Sequence, residues 1–173
     1  MPKGRTDMTI IFGSEGTDGR LLSHPLLAKT LESVWGCDAE CRLERSPRGK
    51  PYFADRPNRW LSLSHSGRYA LCALSDEGEV GVDIEVVRTH RPGLPEYVLT
   101  PEEKVQFDGS WEDFTRLWTL KESWCKMKDI PLYPPSQVSM PKGCSYRSYT
   151  GPDWWAAICC EGVPPEEILW INL

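Results

Sequence analysis

The sequence predicts an α+β fold, in which antiparallel strands and a few separate helices share a core. Three strand-like runs, residues 59–66, 68–76 and 79–87, follow one another with short polar turns between them, as in an antiparallel meander. Helical periodicity is confined to two separate segments, residues 21–36 and 111–128. A chain of 173 residues suits one compact domain or two small halves with a common core.

The chain opens with a predicted strand and a predicted helix. Residues 8–13, MTIIFG, form a short apolar run typical of a first strand. In residues 21–36 the leucines recur at helical spacing, and Gly36 ends the pattern. Residues 46–53 read as a turn that leads into an extended segment, and the three strand-like runs follow it.

The second half begins with a connection and continues into two helices. Residues 88–95 carry two prolines and no periodicity, so we expect them to connect elements. Thr100 reads as an N-cap, with Pro101 in the first helical position and Glu103 completing a capping box. In the longer helix over residues 111–128, four large apolar side chains are predicted to face the core: Leu117, Leu120, Trp124 and Met127.

Two late apolar runs, residues 154–160 and 168–173, predict further strands. Residues 153–172 weakly repeat the pattern of residues 68–85: an aromatic residue, alanine, cysteine, a glycine-containing turn and a branched aliphatic strand. An internal duplication and a chance likeness of strands both explain this repeat. The second copy lacks the acidic residues of the first, so any chemistry would occur once, between the halves.

Composition excludes several classes of protein. The net charge is −5 and the 20 basic residues are dispersed, which disfavours a nucleic-acid partner. No run of about 18 apolar residues predicts a membrane helix, and the N-terminal apolar run is too short for a signal peptide. Several of the seven cysteines lie in apolar strands, which favours free thiols in a reducing cytoplasm. Cys37 and Cys41 lack the second pair that a zinc site needs.

The strand motif GVDIE, residues 81–85, suggests a cation site. Side chains alternate along a strand, so Asp83 and Glu85 share a face about 7 Å apart, and Gly81 leaves space beside them. With a third carboxylate from Glu122 they form an oxygen set that suits Mg²⁺ bound together with substrate phosphates. The alternative is a solvated acidic face.

The helix motif WTLKESWCK suggests the wall of a cleft. Trp118, Glu122 and Lys126 recur every four residues on one side. A solvated Glu–Lys pair would explain two of them, but a tryptophan in line with the pair is more natural in a cleft. In SLSHSG, His65 ends a strand and is either structural or a phosphate ligand, and RGKPYF adds Lys50 on a basic turn.

The motifs GKPYF, SLSHSG, GVDIE and WTLKESWCKM, in this order, resemble the 4′-phosphopantetheinyl transferase superfamily, and most of all its two-lobed, surfactin-synthetase-activating branch. The resemblance implies an α+β fold of two similar lobes with a pseudo-twofold relation. Each lobe would be an antiparallel sheet packed by a long helix. The lobes would be residues 1–88, with the strand carboxylates, and 89–173, with the signature helix. The active site would lie between them.

The resemblance also implies an activity. Members of this superfamily transfer the 4′-phosphopantetheine arm of coenzyme A to a carrier-protein serine and release adenosine 3′,5′-bisphosphate. Asp83, Glu85 and Glu122 would bind Mg²⁺ on the pyrophosphate, and Lys126 would contact the attacked phosphate. Glu122, or a water that it orients, would be the base for the acceptor serine, which is a poor nucleophile at neutral pH.

Further residues match positions that hold coenzyme A in the superfamily. His65 and Ser64 would hold phosphates together with Lys126, and Lys50 would clamp the nucleotide end. Lys121 matches a family-typical lysine and is expected in the same site. Arg20 is the basic residue nearest to the place of the basic helix that longer members carry before the first motif.

The resemblance implies a cytoplasmic, monomeric enzyme whose partner is an apo acyl or peptidyl carrier protein, with no nucleic acid and no membrane. Within the superfamily, the alternative is the small trimeric type, which a sizing column would distinguish. Outside this activity, a non-catalytic binding module for coenzyme A or a carrier protein would need no set of metal carboxylates. A Mg²⁺-dependent pyrophosphate hydrolase would be told apart by its products.

Overall fold

The structure, a computed structural model, describes residues 8–36, 42–140 and 143–173, so Cys37 and Cys41 lie outside the described residues. Nine strands form two larger sheets and a two-stranded ribbon within this part of the chain. The strands are β1 (Thr9–Glu15), β2 (Leu43–Arg45), β3 (Pro51–Phe53), β4 (Trp60–Ser66), β5 (Tyr69–Ser75), β6 (Val80–Val86), β7 (Ser145–Thr150), β8 (Trp154–Cys160) and β9 (Leu169–Trp170). The helices are α1 (Gly19–Trp35), α2 (Leu94–Val98), α3 (Pro101–Gln106) and α4 (Trp111–Lys128), followed by a 3₁₀ turn, Pro135–Gln137.

The first sheet has the strand order β4-β5-β1-β9, and α1 covers one of its faces. The side chain of Asp18 caps α1 by accepting a hydrogen bond from the Arg20 N–H, and Gly36 ends the helix in the left-handed conformation, with φ 60°. Leu26 and Leu27 of α1 are buried against this face of the sheet. The predicted first strand and first helix are therefore confirmed.

The second sheet has the order β6-β8-β7, with antiparallel pairing throughout, and α4 packs on it. The predicted meander is only partly right, because β4 and β5 pair but β6 pairs with β8 rather than with β5. The reason is burial. Val82 and Ile84 of β6 are fully buried in a core that lies between the two sheets, which requires the chain to change sheets after β5.

The molecule thus has four layers: α1, the first sheet, the second sheet and α4. The sheets exchange strands across the predicted boundary between residues 1–88 and 89–173. β6 comes from the first half and lies in the second sheet, whereas β9 comes from the second half and pairs in parallel with β1. The mixed α+β class is confirmed, and a pseudo-twofold relation between the halves stays a prediction.

Helix α4 approaches β6 closely because β6 carries a glycine at the contact. A Cβ atom on Gly81 would lie 2.0 Å from the Ser123 carbonyl oxygen and 2.4 Å from the Met127 nitrogen, both in the backbone of α4. The predicted core face of α4 needs correction. Leu117 and Met127 are buried, but Leu120 and Trp124 are only partly so, whereas the small polar side chains of Thr119 and Ser123 are buried.

The remaining helices are short. The predicted capping box is confirmed, since Thr100 and Glu103 each bond the backbone N–H of the other. The structure adds α2 and β7, which the periodicity did not predict. In the part of the chain that the structure describes, no helix is long and apolar enough to cross a membrane.

Candidate active site

The two sheets meet where β4 runs alongside β6, and serine side chains of β4 make the connection. The hydroxyl oxygens accept hydrogen bonds from alternate backbone N–H groups of β6. The pairs are Ser62 with Val82 at 3.0 Å, Ser64 with Ile84 at 3.3 Å and Ser66 with Val86 at 3.1 Å. We call these three residues the serine seam. The three bonds show that these serines share one face of β4, and they fix β6 relative to β4.

A cluster of carboxylates lies beside the seam, where β6 faces α4. Asp83 is buried, and its Oδ1 accepts hydrogen bonds from Lys126 Nζ at 2.6 Å and from Ser64 Oγ at 2.8 Å. Its other oxygen, Oδ2, is buried without a hydrogen-bond partner. Ser66 donates to Glu85 Oε2 at 2.7 Å. The predicted strand carboxylates therefore lie close to the predicted helix lysine.

Burial and mutual repulsion raise the pKa values of two carboxyl groups in this cluster. Burial, and after it the negative charge of Asp83, raise the pKa of Glu122 from its usual 4.5 to about 7. The same two causes raise the pKa of Glu85. Burial acts to lower the pKa of Lys126, but attraction to Asp83 and their hydrogen bond outweigh it, so the pKa is raised. Lys126 is attracted to all three carboxylates, and Arg88 adds a smaller attraction to Glu85.

A cleft of about 500 Å³ lies on the Glu122 side of the cluster. It is formed by α1, the ribbon turn between β2 and β3, β4 and the end of α4. Its basic side chains outnumber the two carboxylates, Glu122 and Asp129, although the chain as a whole is acidic. They are Arg20, Arg45, Arg48, Lys50 and Lys126. Such a cleft suits a ligand with several negative charges.

A smaller and more apolar pocket, of about 300 Å³, lies on the Glu85 side. Aromatic and aliphatic side chains from α2 and α4 form much of its wall, among them Leu94, Val98, Phe114 and Trp118. The cluster therefore stands between a basic cleft and an apolar pocket, because Glu122 lines the first and Glu85 the second.

The structure brings most of the predicted ligand residues to the basic cleft. Arg20, Lys50 and His65 line it, and the His65 side chain is exposed. Lys50 also donates a hydrogen bond to the Met127 carbonyl at the end of α4, and burial lowers its pKa. The hydroxyl of Ser64 is turned into the seam, where Asp83, Lys126 and the Ile84 N–H share it.

Lys121 does not reach the cleft, contrary to the prediction. Its side chain is 1% exposed. The ammonium group pairs with Glu103 Oε2 at 2.8 Å and donates to the carbonyl oxygens of Val98 at 2.9 Å and Pro135 at 2.8 Å. These contacts match the three donors of an ammonium group, so this lysine ties α4 to α2, α3 and the 3₁₀ turn.

Sequence reasoning missed two basic side chains of the cleft, His24 and Arg45. His24 follows Arg20 by four residues in α1, and this spacing places both on one helix face. That signal was available in the sequence. Arg45 pairs across the ribbon with Pro51, and this contact could not be read from periodicity. The apolar pocket was indicated only by Trp118.

The cluster has the ligand types of a magnesium site, although its side chains are not arranged as one. No group of three or more His, Cys, Asp or Glu side chains is arranged to hold a metal ion within residues 8–36, 42–140 and 143–173. Nevertheless, the unpartnered Asp83 Oδ2 and the repulsion that raises the pKa of Glu122 and Glu85 are what a bound cation would relieve. Carboxylate oxygens are also the ligands that Mg²⁺ prefers. The residues therefore fit this ion.

Comparison with known proteins agrees with the motifs. Residues 79–139, from the start of β6 past the end of α4, match the family model of the 4′-phosphopantetheinyl transferase superfamily. Residues 79–139 therefore carry the signature of this superfamily. The match contains the strand with Asp83 and Glu85 and the helix with Glu122 and Lys126, which meet in the structure.

Two relatives illustrate the range of the superfamily. The chain is 41% identical over 117 residues to the 4′-phosphopantetheinyl transferase AcpT of Escherichia coli (strain K12), covering 64% of this chain and 55% of the relative. It is 34% identical over 134 residues to the L-aminoadipate-semialdehyde dehydrogenase-phosphopantetheinyl transferase of Homo sapiens, covering 66% of this chain and 42% of the relative. The chain spans about half the length of these curated relatives.

Proposed function

We propose that this protein transfers the 4′-phosphopantetheine arm of coenzyme A to a serine of an apo acyl or peptidyl carrier protein, with Mg²⁺ as cofactor. The observation that carries the proposal is the carboxylate cluster between a basic cleft and an apolar pocket. The names of the relatives support the same reaction. We also propose that the protein acts as a monomer in the cytoplasm.

The two pockets match the two ends of coenzyme A. Its nucleotide end carries phosphates, and we place it in the basic cleft, where Arg20, Lys50 and His65 are available to it. Its pantetheine arm is largely uncharged, and we place it toward the apolar pocket beside Trp118. The pyrophosphate that joins the two ends then lies at the cluster, which is where the transferred bond must break.

The cluster would hold the cofactor through Asp83, Glu85 and Glu122. When bound, Mg²⁺ would neutralise charge on the pyrophosphate, which is its usual contribution to phosphoryl transfer. Lys126 lies on the cleft wall and is paired with Asp83. We propose that its ammonium group turns to the attacked phosphate and stabilises the negative charge that grows there during transfer.

The acceptor serine needs a base, and we assign this role to Glu122. Glu122 lines the basic cleft beside the cluster, where the acceptor hydroxyl must arrive. Because a carboxylate bound to Mg²⁺ is a weaker base, a water that Glu122 orients is the alternative acceptor of the proton. Glu122 receives the hydroxyl proton, directly or through a water. The serine oxygen forms a bond to phosphorus, the bond from phosphorus to the bridging oxygen breaks, and adenosine 3′,5′-bisphosphate leaves with that oxygen.

The test is incubation with coenzyme A, Mg²⁺ and several apo carrier proteins, read by intact mass. The carrier should gain one phosphopantetheine, and Asp83→Ala and Glu122→Ala should lose transfer while the circular dichroism spectrum is kept. Glu112→Ala is the matched control, since this exposed carboxylate lies on the same helix outside both pockets. Coenzyme A hydrolysed without a carrier, or bound and never consumed, would instead identify a hydrolase or a binding module.

A further inference from the structure

The serine seam joins two strands that share no backbone ladder. β4 is an edge strand of the first sheet and β6 is an edge strand of the second, and neither sheet contains the other strand. Every second N–H group of β6 would therefore face β4 without a carbonyl partner, which is costly for buried backbone. The hydroxyls of Ser62, Ser64 and Ser66 supply the missing acceptors.

The three serines differ in what else their hydroxyls do. A serine hydroxyl has one donor and two acceptor positions, so a bond to backbone leaves its proton free for another partner. Ser64 donates to Asp83, and Ser66 donates to Glu85. For Ser62 the structure gives the backbone bond to Val82 and no bond to a carboxylate. Two members of the seam therefore connect the backbone of β6 to its own acidic side chains.

The role of Ser66 is easier to separate from that of Lys126 than the role of Ser64 is. Ser64 also accepts a hydrogen bond from Lys126, and Asp83 is held by that lysine as well. Glu85, in contrast, is a longer and partly exposed side chain with more rotamers to lose. The Ser66 hydroxyl accepts a hydrogen bond from the backbone N–H of Val86, the residue after Glu85. It donates a hydrogen bond to Glu85 Oε2. This closes a ring that fixes the direction of the carboxylate.

We infer that Ser66 is a positioning residue that aims the Glu85 carboxylate at the divalent cation of the cluster. The inference rests on the proposed function, because it takes the cation site of that proposal and assigns a residue that orients one of its ligands. Partners that orient metal ligands typically change metal affinity by 10- to 100-fold when removed. We expect the lower end here, about 10-fold, because Glu85 is one of three carboxylates.

The experiment measures binding of Mn²⁺, as a spectroscopic substitute for Mg²⁺, to the protein without coenzyme A, by electron paramagnetic resonance. Ser66→Ala should weaken Mn²⁺ binding about 10-fold. Ser66→Thr, which keeps the hydroxyl and suits a strand, should restore most of it. Ser62→Ala is the matched control, since it removes a seam bond to backbone but no bond to a carboxylate, and it should change Mn²⁺ affinity by less than about twofold. If Ser66→Ala does not fold, Ser66→Cys gives the same comparison, because a thiol donates only weakly.

The possible results separate this inference from the proposed function. Equal Mn²⁺ affinities for wild type and Ser66→Ala, or equal losses for Ser66→Ala and Ser62→Ala, would mean that the seam is only structural. Failure of Ser66→Thr to restore binding would have the same meaning. A wild-type protein that binds no Mn²⁺ would overturn both the inference and the cofactor. Selective loss of Mn²⁺ in Ser66→Ala, in a protein that transfers nothing to any carrier, would uphold the inference and remove the proposed function.

Discussion

Replacement of Lys121 by methionine should destabilise the protein without directly changing its affinity for coenzyme A. The structure gives this lysine three buried contacts, with Glu103 and with the carbonyl oxygens of Val98 and Pro135. The sequence motif instead suggests a ligand of coenzyme A. The two roles predict different outcomes for the same substitution, so one variant decides between them.

The magnitude follows from what the substitution leaves behind. Methionine fills much of the space but removes the charge, so Glu103, whose side chain is 17% exposed, keeps a poorly solvated carboxylate. Removing one partner of a buried ion pair typically costs about 3–5 kcal/mol of unfolding free energy. For a domain of this size, such a loss lowers the melting temperature by roughly 6–20 °C.

The assay is urea unfolding followed by tryptophan fluorescence, together with coenzyme A titration at a temperature where the variant is folded. Lys104→Met is the matched control. It breaks an ion pair with Glu96 in which the side chains are 36% and 78% exposed, and such surface pairs contribute about 0–1 kcal/mol. A Lys121→Met protein that unfolds like wild type but binds coenzyme A much more weakly would refute the structural role.

Three further predictions concern the cluster and the contact between β6 and α4. Gly81→Ala should destabilise the protein by about 1–3 kcal/mol in urea unfolding, because the new Cβ would meet the α4 backbone at the Ser123 carbonyl. Gly16→Ala, whose Cβ meets only a leucine side chain at 3.1 Å, should cost less, and equal losses would contradict this reasoning. Without metal, the free energy of unfolding should fall as the pH rises from 4.5 to about 7. The reason is that Glu122 ionises near pH 4.5 in the unfolded chain but only near pH 7 in the folded protein. Protons compete with the cation for Glu122, so Mg²⁺ should bind roughly tenfold more tightly at pH 8 than at pH 6 in calorimetry. Equal affinities, or the same pH dependence in Glu122→Gln, would exclude this cause.

Elements whose signals are local could be predicted from the sequence. Gly36 ends α1, and Thr100 with Glu103 starts α3, because caps depend on residues within a few positions of each other. The pairing of β6 could not be predicted in the same way. Its sequence suits either sheet, and the choice depends on β8, which lies about 75 residues further along the chain. An apolar strand carries no signal that names its partner.

The residues of the candidate site show the same difference between local and distant signals. Strand alternation pairs Asp83 with Glu85, and helix spacing pairs Glu122 with Lys126. Periodicity does not show that the two pairs meet; the resemblance implied it, and in the structure Lys126 contacts Asp83. Lys121 precedes Glu122 directly, yet consecutive residues of a helix point about 100° apart. The lysine therefore faces α2 and α3 while the glutamate faces the cleft. The motif places Lys121 next to Glu122 in sequence, but neighbours in a helix do not share a face.

The carboxylate cluster shows how the surrounding fold maintains an arrangement that its own charges oppose. Burial and repulsion raise the pKa of Glu122 and Glu85, so the three acids would move apart if they were free to do so. Gly81 allows the backbone of α4 to pack closely against β6. The serine seam fixes β6 against β4 through hydrogen bonds from backbone N–H groups to neutral hydroxyls. These contacts do not weaken when the carboxylates ionise. The carboxyl groups are therefore held near one another by the fold, and a cation bound there, as we propose, would gain the free energy that neutralisation releases.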